Sequence, residues 1–404
     1  MTIEIKPDGS LSLDPLGAFE TFLNFFSSLG KSKKQEAFLE TLEYMSNHRS
    51  DLARIAGEYY TLNGYQLIHP KIPLLAGENF YYGELKNIDD VLCTYDRKRT
   101  QVELKNLGLP DAKKNYVQSI IDIKYGGEEE NSPFKRNFCY RLVDVKSPTQ
   151  ISFEHCDYFD YINTCEYQFY LFAAQIKRNL KNNIFEKKRL KKLKREIEPF
   201  NLSNRYHVPG INTLLIFWEE DNPCMYIHKR NKKTTAEAIN VKHIVPAGTF
   251  QPIHMDDANH EHDFSMYTNI LREFGEELAG DRELIHPHGV LENVLERDSL
   301  KPIDSLIKAG VGQVYYGGIT YDCLTLKPEI LSIMVIQKKD FEEHIGPVQF
   351  IENYEGEPFA VQFNKQTLRQ YCFDPEMLPA GAGCLYLALE HFERIEEDMR
   401  KSIA

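Results

Sequence analysis

The chain has 404 residues, 42% of them hydrophobic and 27% charged, and its 60 Asp and Glu outnumber 48 Lys and Arg to give a net charge of −12. That balance excludes a wholly disordered chain, and at roughly 150 residues per domain the length provides for two or three packed cores. No apolar run approaches the roughly 18 residues of a membrane helix, the N-terminus MTIEIKPDGS lacks an apolar leader, and so acidic a chain is a poor general nucleic-acid binder unless its basic residues are gathered in one place.

A cytoplasmic location is therefore expected. The eight cysteines fit it: none forms a C-x-x-C pair or a zinc-ribbon spacing, so they read as reduced, partly buried thiols. The densest local set is His155, Cys156 and Cys165. It falls in a stretch rich in Tyr and Phe and reads as core rather than as a metal site.

Taken in order, residues 1–65 read as helical. Phe19, Phe22, Leu23 and Phe26 recur at spacings of three and four, as do Phe38, Leu39, Leu42 and Met45, until Asn63-Gly64 breaks the pattern. Residues 66–175 read as mixed α+β, with short strand-like runs, a helix predicted over Asp111–Ile123 and a loop at GGEEENS. Asn163 or Thr164 would cap a helix starting near Glu166. Residues 176–204 form a basic helix or linker. Ten Lys and Arg lie between Lys177 and Arg195, with Glu186 the only acid. One reading is a solvated helix face. The other is an anion site, for a polyphosphate or nucleic acid, built from Lys187, Lys188, Arg189, Lys191, Lys192, Lys194 and Arg195. No aromatic lies between Lys187 and Arg195 for base stacking, so such binding would be electrostatic.

Pro199 and Pro209-Gly210 mark a boundary, and 205–404 reads as a further domain. NTLLIFWEE and CMYIHKR are strand-like and separated by Asp221-Asn222-Pro223, which predicts a closely spaced pair. HIVPAGTF is a third strand running into a glycine turn, and VGQVYYGGITY and EILSIMVIQKK are further strands. The last is apolar almost throughout, as an interior strand is. Gly383–Arg400 reads as one helix with Leu385, Leu389, Phe392 and Ile395 on one side. Apolar helices at both ends offer surface for an oligomer.

The most informative segment is Ser265–Leu278. As a helix it places Ile270, Phe274 and Leu278 in one buried stripe and Glu273, Glu276 and Glu277 on an adjoining face. Three carboxylates on one face repel unless water, salt or a hard cation neutralises them, and Arg272 beside them can orient one through a bidentate contact.

This segment resembles the Nudix box, G-x5-E-x7-R-E-U-x-E-E-x-G-U with U a bulky aliphatic residue. Arg272, Glu273, Glu276 and Glu277 match at the right spacing, and Phe274 fills a U position. The closing Gly falls at Ala279, with Gly280 one residue late. The leading Glu falls at Phe264 and the leading Gly at Ala258, while the nearby Gly248, in Val245-Pro-Ala-Gly, requires about ten inserted residues. The resemblance covers roughly 205–404. It implies an α/β fold, a Nudix-like α/β/α sandwich with a mixed sheet, preceded here by the α-rich and mixed N-terminal region. It also implies Mg²⁺ or Mn²⁺ held by Glu273, Glu276 and Glu277 and hydrolysis of a nucleoside-diphosphate-linked substrate, with Arg272 assisting. The insertion 251–263 holds three His and several acids. It reads as a polar surface loop, or else as a source of substrate contacts from Gly248, His254, His262 and Asp263, with Asp263 the first candidate because it adjoins the vacant leading position. His286 and His288 read as surface residues.

Three functions follow: a Nudix-type hydrolase, a sensor that binds a nucleotide or nucleotide-derived signal with little turnover, and a ligand-responsive nucleic-acid-binding regulator using 177–195.

Overall fold

A computed structural model describes residues 4–5, 11–12, 32–103, 109–111, 113–132, 134, 136–180, 197–230, 241–254, 256, 259–281, 292–347 and 356–401. Phe19, Phe22, Leu23 and Phe26, the basic residues 181–195, and His286 and His288 lie outside the described residues.

Strands β1 (Glu4–Ile5) and β2 (Leu11–Ser12) pair with each other. Helix α1 (Lys33–Asn47) starts at a capping box: Ser32 Oγ accepts from Gln35 N at 3.3 Å and Gln35 Oε1 accepts from Ser32 N at 2.8 Å, an arrangement that contributes about 1 kcal/mol. Helix α2 (Arg49–Leu62) ends where Gly64 takes a left-handed φ of +88°. Phe38 and Met45 are buried and Leu39 and Leu42 pack beside them.

Three short strands follow, β3 (Leu67–His69), β4 (Ile72–Leu75) and β5 (Tyr81–Asn87). They belong to the large sheet described below, so that sheet draws on chain from both sides of position 205. A second sheet has the order β6-β8-β7, from β6 (Leu92–Asp96), β7 (Phe138–Ser147) and β8 (Gln150–Asp157). Helix α3 (Tyr116–Lys124) starts later than Asp111 because Asn115 caps it, its Oδ1 accepting from Gln118 N at 2.9 Å.

The helical stretch after β8 starts earlier than the sequence predicts. Asp157 caps it through Phe159 N at 2.8 Å, and the chain runs through Tyr158–Tyr161 and a π turn, Ile162–Glu166, into α4 (Tyr167–Leu180). Neither Asn163 nor Thr164 is the cap. Asn163 Oδ1 instead accepts from Val117 N at 2.9 Å, satisfying an open amide of α3 from a neighbouring helix.

The second half supplies β9 (Gly210–Trp218), β10 (Cys224–Arg230), β11 (Lys242–Ile244), β12 (Ala247–Thr249), α5 (Met266–Phe274), α6 (Lys301–Lys308), β13 (Gly312–Asp322), β14 (Pro328–Gln337), β15 (Gly356–Gln362), α7 (Pro379–Glu390) and α8 (Phe392–Lys401). The C-terminal helix begins at Pro379 and is interrupted at His391, whose Nε2 bonds the carbonyl of Gly83 at 2.9 Å.

The large sheet follows the order β11-β10-β9-β14-β13-β4-β3, with β12 also on β9, β15 on β10 and β5 on β13. Its β9–β14 pair is parallel and the others are antiparallel, so the sheet is mixed. Both faces are covered, which is why β9 and β14 read as largely apolar runs. Leu214, Ile216, Leu331 and Ile333 pack toward Leu385 and Ala388 of α7. Leu215, Phe217, Ile330 and Met334 face the other core, which holds Ile270 and Phe274 of α5 and continues into the N-terminal region through Cys139, Phe153 and Tyr206. Among the described residues no helix is long and apolar enough to cross a membrane.

Candidate functional site

Helix α5 is fixed at its start by Ser265, whose Oγ accepts from Thr268 N at 3.1 Å, and along its length by the buried stripe Ile270, Phe274 and Leu278. Each such side chain contributes about 1.5–3 kcal/mol of burial, enough to hold the polar residues between them in place.

Arg272 is 3% exposed. Its Nη1 donates to both oxygens of Glu276, each at 3.0 Å, and its Nη2 donates to Asn269 Oδ1 at 3.2 Å and to the Glu273 carboxylate. Burial by itself would lower the Arg272 pKa, but the fields of Glu273 and Glu276 outweigh it and hold the guanidinium above its ordinary value. Glu277 takes a different partner: its Oε2 accepts from Ala247 N at 2.8 Å, tying α5 to β12.

Gly248 of that strand lies against the Glu273 side chain of α5. A Cβ there would fall 2.0 Å from Glu273 Oε1, so only glycine leaves room for the carboxylate. The helix then widens into a π turn over Gly275–Ala279 and closes at Gly280, φ +79°.

Phe264, at the position before Ser265, is a packing residue. Phe264 packs among Tyr95, Tyr140, Phe153 and Phe250, with ring centroids 5.0–5.5 Å away. Ala258 lies outside the described residues.

The described residues before α5 are held by a His254–Asp263 pair. His254 Nδ1 lies 2.8 Å from both Asp263 oxygens, and its Nε2 accepts from Glu292 N at 3.0 Å, which assigns the proton to Nδ1. Asp263 Oδ2 also accepts from Ile253 N and His254 N at 2.9 and 3.0 Å. The two side chains are only 1% and 6% exposed, so they fasten the loop from within. His262, by contrast, is exposed. The buried His260 accepts at its carbonyl from Tyr140 Oη at 2.6 Å, joining this loop to β7.

The structure thus brings together Arg272, Glu273, Glu276 and Gly248, joins Glu277 to the adjoining amide of Ala247, and pairs His254 with Asp263. Of the basic set, Lys177 pairs with Glu40 at 2.9 Å, and Lys187 to Arg195 lie outside the described residues. Asn269 escaped the sequence reading, although its spacing three residues before Arg272 was the available signal. It accepts from Arg272 and, at 3.3 Å, from Gln251 N.

Among the described residues, no group of three or more His, Cys, Asp and Glu side chains is placed to hold a metal ion. The described cysteines are free thiols. Burial pushes Cys165 up to about 11 and Cys93 up to about 12, which leaves little thiolate for metal binding or nucleophilic attack near neutrality. By sequence, no family model and no curated protein matches the chain.

Proposed function

We propose that the chain is a regulatory protein whose C-terminal, Nudix-like module binds a nucleotide or a nucleotide-derived signal with little turnover. The observation that carries this reading is the sharing of one buried guanidinium, Arg272, by Glu273 and Glu276. With Glu277 engaged by a main-chain amide as well, the three carboxylates do not fit a three-ligand Mg²⁺ or Mn²⁺ site as they are arranged. A cation entering there would compete with a buried ion pair whose disruption costs about 3–5 kcal/mol.

Two further observations support the reading. A mixed sheet carrying helices on both faces, with the R-E-F-G-E-E helix on one of them, is what a Nudix-like α/β/α sandwich requires. Phe264 and the Tyr140–His260 bond couple that helix to the β6-β8-β7 sheet, giving the N-terminal region a route by which to read the state of the module.

The hydrolase reading keeps one observation in its favour. Arg272, Glu273, Glu276 and Glu277 stand together on one stretch of helix against Gly248, and a change of Arg272 rotamer would release two carboxylates.

The two readings separate in a ligand screen. Thermal unfolding is followed with nucleoside diphosphates, cyclic and linear oligonucleotides and dinucleotide cofactors, with and without Mg²⁺, while products are assayed. A ligand present at about 100 Kd adds about 2.7 kcal/mol, a shift of several degrees. Stabilisation without product supports the sensor. Product formation that disappears in Glu276→Gln with Glu277→Gln supports the hydrolase, and no response to any ligand removes both.

A further inference from the structure

Away from α5 the chain surrounds a cavity of about 810 Å³. One wall is α2, from Arg49 to Leu62. The facing wall is the segment Cys372–Ala382, which includes the first turn of α7. Leu67, Pro73 and Leu324 complete it between these walls. The site is therefore built from widely separated parts of the sequence, and its volume falls in the range of about 300–1,000 Å³ typical of small-molecule sites. Gly57 sets its depth: a Cβ there would meet Pro73 Cβ at 3.3 Å, so the glycine lets α2 settle close against β4.

The lining decides what chemistry fits. Ala53, Leu67, Leu324 and Met377 present apolar surface. The charged groups are Arg49, Arg54 and Lys71 against Asp51, Glu58, Asp374 and Glu376. Most of these are already engaged. Arg54 donates to Glu58 at 2.7 Å, Asp374 and Glu376 share Lys242 at 2.7 and 2.9 Å, and Arg49 lies over the Phe169 ring at 5.2 Å. Lys71 makes no ion pair among the described residues; its ammonium rests 5.3 Å over the Phe373 ring at the cavity rim. On the facing wall α7 begins with no side-chain cap and no acid in its first turn. A polyphosphate would bring several negative charges against four carboxylates, whereas a single negative charge matches Lys71.

We infer that this cavity binds a small organic acid, one carboxylate on a largely apolar body, with the carboxylate at Lys71 and the body against the Ala53–Leu324–Met377 surface. Such a ligand bridges α2 and the segment before α7, and its site is separate from the nucleotide reading of α5.

The test uses the full chain and the fluorescent probe 8-anilinonaphthalene-1-sulfonate, which combines apolar rings with one anionic group. The expected result is saturable binding of one probe per chain, displaced by decanoate about tenfold more effectively than by decanol. Two variants at exposed lining positions leave the core untouched. Lys71→Glu weakens the probe and decanoate about tenfold or more, and Thr61→Trp, which places an indole at the cavity mouth, weakens both. Unchanged binding in both variants, absence of saturable binding, or displacement by decyltrimethylammonium as effective as by decanoate overturns the inference.

Discussion

Phe264 stacks on Tyr95, ring centroid to ring centroid 5.2 Å, and so joins the segment entering α5 to the N-terminal β6. In the Nudix pattern Phe264 stands where a leading glutamate is expected. Here the position is a packing residue that couples two parts of the chain.

Restoring the pattern with Phe264→Glu therefore produces damage rather than activity. A carboxylate placed among Tyr140, Phe153 and Phe250 loses the aromatic contacts and is poorly solvated, at a cost of about 3 kcal/mol or more. Urea unfolding is expected to show this loss, with no phosphoanhydride hydrolysis gained.

Arg272 is held by two carboxylates in a buried setting, so removing it leaves both uncompensated. Arg272→Met is expected to destabilise the chain by about 3–5 kcal/mol, and adding Glu273→Gln with Glu276→Gln to recover much of that loss. A double-mutant cycle in urea measures the recovery, and its absence would show that the pairing is not what Arg272 provides.

Gly248→Ala tests the approach of β12 to α5. The new methyl group occupies the place of the Glu273 carboxylate and must displace it, costing about 1–3 kcal/mol. Gly248→Ala combined with Glu273→Ala is expected to be less destabilised than the sum of the two single changes.

Much of the second half was legible because its signals are local. The apolar runs of β9 and β14, the turn at Asp221-Asn222-Pro223 and the stripe Ile270, Phe274 and Leu278 each announce their element. The match of Arg272, Glu273, Glu276 and Glu277 also placed the residues of interest on one helix. What the sequence could not disclose depends on partners distant along the chain. Asn163 resembles a helix cap, and nothing local says that it serves the amide of Val117. His254 and Asp263 resemble surface ligands until their burial against Glu292 N is seen. The cavity between α2 and residues 372–382 brings together positions some 300 apart and leaves no pattern to read.

His207 makes the stability of the chain depend on pH. It is fully buried, and burial, reinforced by Arg205 and only partly opposed by the hydrogen bond to Asn201 O, holds its pKa well below the ordinary 6.5. The neutral ring is favoured in the folded chain and the protonated ring in the unfolded one. Its contribution is therefore present above pH 6.5 and lost as pH falls below it, by about 1.4 kcal/mol for the first unit. Unfolding free energies measured at pH 7 and pH 5.5 are expected to differ less in His207→Gln than in the parent chain. An equal difference would show that this ring takes up its proton alike in the folded and unfolded chain.

The proposed role of the module carrying α5 is recognition of a nucleotide-type ligand without turnover. The most direct measurement is a single-turnover experiment on the full chain, in excess over the nucleotide that most raises its melting temperature, with Mg²⁺ present and phosphorus NMR as the readout. A sensor gives perturbed phosphorus resonances of a bound but intact ligand throughout the experiment. Appearance of cleaved phosphate resonances in the parent chain but not in Glu276→Gln with Glu277→Gln would contradict it.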